Sequence, residues 1–144
     1  MSLFRALDAS ASALTAERVR MEVATSNLAN AHTTRTPEGG PYRRRVVFFA
    51  PLVERLAASL GGAALSDSRG VVVAGIVEDP SPPRRVYDPG HPDADREGFV
   101  ALPNVDPIME MADLMASARN YELNAVAFNT IKQVILKALE LGRR

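Results

Sequence analysis

The sequence predicts a mainly α-helical fold with a small β insertion: two long terminal helices paired as an antiparallel coiled coil, and a small antiparallel β domain between them. Three observations predict it. The first 30 residues hold no Gly or Pro, apolar residues recur every seven positions at both ends, and nearly all the Pro and Gly fall between them.

Residues 1–34 read as the amino-terminal helix and its Asn-rich end. Ala, Leu, Arg, Glu and Met dominate it, and all are strong helix formers. Leu7, Leu14, Met21 and Leu28 recur every seven residues, with Leu3, Phe4 and Ala11 widening the stripe, so one face is apolar along its length. Residues 106–144 repeat the pattern. Asp106 followed by Pro107 is a helix start, the carboxylate accepting from unpaired N–H groups and the proline fitting the first turn, and Gly142 is a stop. Leu114, Tyr121, Phe128 and Ile135 form one series, and Met111, Ala118, Ala125 and Leu139 flank it, with Lys132 the charged interruption. A 30-residue helix is about 45 Å long, more than the rest of so short a chain can cover. The two helices must therefore cover each other, and the stripes look underfilled for a lone hairpin, which implies partners.

Residues 35–105 lose the helical period. YRRRVVFF (residues 42–49), VVVAGIV (71–77), 85–87 and 99–102 read as short strands bounded by turn residues, forming a small antiparallel sheet or partial barrel. The stretch LAASLGGAALSDSRG, residues 56–70, has no alternation and reads as a mobile loop.

Composition narrows the function. At 144 residues, 47% hydrophobic and 24% charged, the chain is one ordinary domain rather than a disordered polymer. Seventeen basic and seventeen acidic residues cancel, removing the electrostatic basis for binding nucleic acid or an anionic membrane surface. No cysteine means no thiolate metal site, no Cys nucleophile and no disulfide. No stretch approaches the roughly 20 apolar residues of a membrane span. The amino terminus lacks a basic segment followed by an apolar block, because Asp8 interrupts it, and taken alone this reads as cytoplasmic.

Signatures of catalysis are missing: there is no GxSxG, phosphate-binding loop, GxGxxG or HExxH, and the only histidines are His32 and His91. In PGHPDAD, residues 89–95, His91, Asp93 and Asp95 would share one face of an extended chain and present a metal-like triplet. Pro89, Gly90 and Pro92 instead favour a turn whose carboxylates bond nearby backbone. Arg43 to Arg45 open a strand and read as a solvated or interface edge. Met111, Leu114, Ala118 and Tyr121 have the spacing of a core or interface stripe, so no cofactor is implied. Asn27 and Asn30 sit where the first helix ends, offering donors and acceptors to unpaired carbonyls or to a neighbouring chain.

Four stretches in order, SNLANAHTTRT, GGPYRRRVVFF, VYDPGHPDADREGFVALPNVD and EMADLMASARNYELNAVAFNTIKQVILKALELGR, resemble the bacterial flagellar axial family of basal-body rod proteins. The resemblance spans nearly the whole chain and is least clear over residues 56–70. It implies a structural subunit of the proximal rod, the drive shaft crossing the periplasm, and not an enzyme. Such a subunit assembles helically with copies of itself and with other rod proteins, transmits motor torque, and leaves the cell through the flagellar type III export apparatus without a cleaved signal. Its terminal helices would pair on assembly. By position the resemblance places Asn27, Leu28, Ala29 and Asn30 in the axial motif. Leu7, Leu14, Met21, Met111, Leu114, Ala118, Tyr121, Ala125, Phe128, Ile135 and Leu139 fall in the coiled-coil seam and its subunit contacts. It turns PGHPDAD into a rigid connector holding the insertion against the second helix, with no metal. A small hydrolase using a metal at His91, Asp93 and Asp95, and a cytoplasmic helical adaptor, are the competing readings.

Overall fold

Helix α1 runs Leu3–Ala29, and the computed structural model describes residues 3–54 and 67–142 of the chain. Strands β1 (Arg45–Glu54), β2 (Asp67–Glu78), β3 (Arg84–Tyr87) and β4 (Phe99–Leu102) follow, and α2 (Pro107–Gly142) closes the order. The fold is mainly helical with a small antiparallel β component.

The predicted start of α2 is built as the residue types require. Asp106 Oδ1 accepts from Ile108 N at 2.9 Å and its carbonyl accepts from Glu110 N at 3.0 Å. At the end of α1, Asn30 N and Asn30 Nδ2 both donate to Ser26 O, at 3.1 and 2.9 Å. The first continues the helical i→i−4 ladder by one step, and the side-chain amide adds a second donor to the same carbonyl.

α1 is the middle layer, packed by α2 on one side and by β1 and β2 along its length. Its polar contacts with α2 run in opposite order along the two helices: Asn27 meets Glu110, Arg20 meets Asp113 and Glu17 meets Asn120. The most buried helical positions are not the Leu-rich series. They are Ser10, Ala16, Ala24 and Asn27 on α1 and Glu110 and Ser117 on α2. Ser10 and Ala24 fall three residues after Leu7 and Met21, and Glu110 and Ser117 fall one residue before Met111 and Ala118. Four of the six are Ser or Ala, and the other two, Asn27 and Glu110, bond each other. Ser10 and Ser117 send their hydroxyls back to Ala6 O (3.0 Å) and Asp113 O (2.7 Å), so neither carries an unpaired donor into the interface.

The expected single sheet or partial barrel is instead two separate ribbons, β1 with β2 and β3 with β4, both antiparallel. Pro80, Pro82 and Pro83 lie in the connection between β2 and β3, where the lack of a backbone donor keeps those positions out of either ladder. β1 begins at Arg45 rather than residue 42, because the backbone of Tyr42 bonds Thr33 O and that of Arg44 bonds Asn104 Oδ1. The register pairs Arg45 with Glu78 and Phe48 with Gly75, then shifts between Phe48 and Phe49 and again after Pro51. Within the stretch expected to be a loop, residues 67–70 are strand, and 56–66 lie outside the described residues. Gly70 anchors β2 to α1: at φ +146°, a Cβ there would run into Ser12 Oγ, which accepts from Val71 N at 3.0 Å.

Candidate functional site at the helix–ribbon junction

Asn27, 1% exposed, is the point where α1, the first ribbon and α2 meet. An amide side chain has two donors and one oxygen with two lone pairs, and here all four are used. Nδ2 donates to Arg45 O at 2.8 Å and to Glu110 Oε2 at 3.0 Å. Oδ1 accepts from Arg45 N and from Tyr42 Oη, both at 2.9 Å. Towards Arg45 the amide acts as a strand would, giving one hydrogen bond and taking one, so the helix supplies a side-chain rung at the start of β1.

Glu110, also 1% exposed, enters the junction from the first turn of α2, where a negative charge is favoured by the helix dipole. Its other oxygen accepts from Arg44 Nε at 2.5 Å. A buried carboxylate is tolerated when paired and hydrogen-bonded, and Glu110 has both an ion pair and an amide donor. The Arg44 guanidinium also lies 3.6 Å from Asp113 and 3.9 Å from Asp79. Hydrogen bonds from Ser81, its hydroxyl first and then its N–H, hold Asp79 below the usual carboxylate range, and Arg44 adds to the effect. Of the stretch expected to be a solvated or interface edge, one residue departs from a solvated face. Arg43 and Arg45 are exposed, but Arg44, a quarter exposed at the side chain, turns inward to meet the carboxylates.

The rest of the axial stretch divides. Leu28 and Asn30 are half-buried and Ala29 is exposed; Asn30 Oδ1 accepts from Thr33 Oγ1 at 3.2 Å. Of the proposed seam residues, Leu7, Leu14, Met21, Leu114, Ala118, Ala125, Phe128 and Ile135 are half-buried, whereas Met111, Tyr121 and Leu139 are exposed. Hydrophobic periodicity did not pick out Glu110, Arg44, Tyr42 or Ser117. For Glu110 and Ser117 the available signal was a pair of polar residues seven apart, one step before Met111 and Ala118; Arg44 and Tyr42 carried none.

His91, Asp93 and Asp95 face different partners. His91 Nδ1 accepts from Asp93 N at 3.1 Å. The Asp93 carboxylate accepts from Thr34 Oγ1 at 2.8 Å and pairs with Arg35 at 3.0 Å. Asp95 Oδ1 accepts from Phe99 N and Glu97 N, each at 2.9 Å, and Oδ2 from Arg85 at 2.7 Å. The Phe99 N–H, foremost, holds Asp95 below the usual carboxylate range, with Glu97 N–H and Arg85 assisting. Among the described residues no three His, Asp or Glu side chains gather as metal ligands would. The stretch is the turn joining β3 to β4, closed by Gly98 at φ +83°. It was expected to hold the insertion against the second helix; the grip it makes is on Thr34 and Arg35, just after α1.

The chain matches two family models, Flagella basal body rod protein over residues 7–35 and Flagellar basal body rod FlgEFG protein C-terminal over residues 96–141. It is 47% identical to the flagellar basal-body rod protein FlgC of Bacillus subtilis, over 99% of this chain and 100% of that protein. It is 42% identical to the FlgC of Escherichia coli O6:H1 over 99% and 100%, and 40% identical to that of Borreliella burgdorferi over 98% of each.

Proposed function

This chain belongs to the flagellar basal-body rod protein family, as a structural subunit of the basal body, and from that premise we propose that it forms part of the proximal rod. There it assembles helically with copies of itself and with other rod proteins, spans the periplasm and carries torque. It reaches that place through the flagellar type III export apparatus with no cleaved signal, and residues 1–34 and 106–144 form the shared antiparallel coiled-coil framework on which residues 35–105 are mounted.

The observation that carries this reading is the apolar surface left over when α1 and α2 pair. α2 has 36 residues against 27 in α1, and Leu136, Leu139 and Leu141 near its end are 50%, 63% and 75% exposed. Met115, Leu123 and Val126 line an exposed groove further along α2. The ribbon carries Phe48, Ile76 and Val77, each about half exposed. Apolar surface on both sides of α1 suits contacts between different faces of successive subunits, which generate open helical filaments rather than closed dimers. The proposed seam residues Leu7, Leu14, Met21, Met111, Leu114, Ala118, Tyr121, Ala125, Phe128, Ile135 and Leu139 complete their burial against neighbours, and Asn27 to Asn30 hold the end of α1 that those neighbours meet.

Removing residues 136–144 tests this. Synthesis of the chain should persist while its incorporation into basal bodies and swimming are lost. Normal swimming with the truncated chain as sole copy would overturn the proposal.

A further inference from the structure

We propose that the Asn27, Glu110 and Arg44 cluster makes the order of the β1–β2 ribbon conditional on the pairing of α1 with α2. The cluster draws one group from each part: Asn27 from α1, Glu110 from α2, and Arg44 with the Arg45 backbone from the start of β1. Withdrawing α2 removes Glu110 from both partners at once. Asn27 Nδ2 then loses one acceptor, and Arg44 loses its closest carboxylate together with Asp113, the other α2 carboxylate beside it. Arg44 is left flanked in sequence by two like charges, Arg43 and Arg45, with Asp79 at 3.9 Å its nearest remaining carboxylate.

The coupling runs both ways. If helix pairing favours an ordered ribbon, then whatever holds the ribbon in place favours paired helices by the same factor. Resting on the rod-subunit reading, this means that a neighbouring subunit seated on the exposed ribbon also locks the helical framework, so capture and locking are one event. Another polar tie of the ribbon to α1, Val71 N to Ser12 Oγ, lies at the far end and involves no part of α2.

The test is residue-resolved amide hydrogen exchange of the purified full chain across low urea concentrations, comparing wild type, Asn27→Ala and Ser12→Ala. In wild type the amides of residues 45–50 and 71–78 should never be better protected than those of residues 16–24 and 110–117: where the helices are paired the two sets open as one cooperative unit with converging urea dependence, and where they are unpaired both exchange freely. Asn27→Ala should split them, with the Arg45 amide exchanging at least about tenfold faster at fixed urea, the consequence of losing a buried hydrogen-bond partner. Ser12→Ala should leave the unit whole. The proposal is overturned by a wild-type ribbon protected beside freely exchanging helices, or by Asn27→Ala behaving as Ser12→Ala does. Rod membership is read separately, by swimming, so either idea can fail alone.

Discussion

Replacing Asn27 by alanine strands several groups together: the backbone N–H and C=O of Arg45 and one Glu110 oxygen, while the Tyr42 hydroxyl is left with Ser26 Oγ at 3.5 Å. Each buried group left unpaired costs about 1–3 kcal/mol, with partial relief from water at the half-exposed rim. Asn27→Ala should therefore lower the unfolding free energy by about 3 kcal/mol, read as a fall in urea midpoint. Asn27→Asp should be no milder, because two donors become acceptors facing Arg45 O and the Glu110 carboxylate. Asp95 makes a different, pH-dependent contribution. Its carboxyl lies below the usual range in the folded chain, so its stabilisation is complete above the ordinary carboxylate pKa and is lost as pH falls through the lowered folded value. The Glu97 and Phe99 amides should stay protected across neutral and mildly acidic pH and open only in strong acid. Asp95→Asn should keep most of that protection, since an amide oxygen still accepts both N–H groups, whereas Asp95→Ala should lose it across the whole range.

Among the elements, the contrast is between helices whose ends were legible and strands whose partnership was not. Asp106, Pro107 and the Asn27 to Asn30 stretch mark helix ends through local chemistry, and local chemistry is read along the chain. Strand pairing is a contact between distant residues, and the apolar run VVVAGIV is equally consistent with one sheet or two ribbons; the tertiary structure decides for ribbons. The attachment of β2 to α1 through Gly70 was likewise invisible in a Gly-containing stretch that reads as loop. Gly70→Ala should press a methyl onto Ser12 Oγ at a φ that side chains rarely adopt, releasing Val71 N. The expected result is a loss of about 1–3 kcal/mol in stability, with exchange rising together across residues 45–50 and 71–78 rather than at residues 70–73 alone.

In the whole molecule, the two terminal helices supply both the internal framework and the surplus apolar surface that a rod subunit needs. These roles can be separated experimentally. Leu123 and Val126 are 60% and 64% exposed, so Leu123→Asp with Val126→Asp should leave helix content by circular dichroism unchanged while sharply reducing incorporation into basal bodies and the swimming halo. Unfolding of the doubly substituted chain, or its normal incorporation, would show that the groove residues serve the subunit itself or nothing at all.

The sequence by itself determined the two long helices, their caps, the β character of the middle and, through full-length resemblance, the family. Each follows from local propensity, seven-residue periodicity or ordered motifs. Only the tertiary structure decided that the most buried helical positions are Ser10, Ala16, Ala24, Asn27, Glu110 and Ser117 rather than the leucine series, and that Arg44 points inward while its neighbours do not. The physical reason is convergence: a buried amide or carboxylate is stable only where distant segments bring all its partners together, and no local stretch of sequence records that meeting.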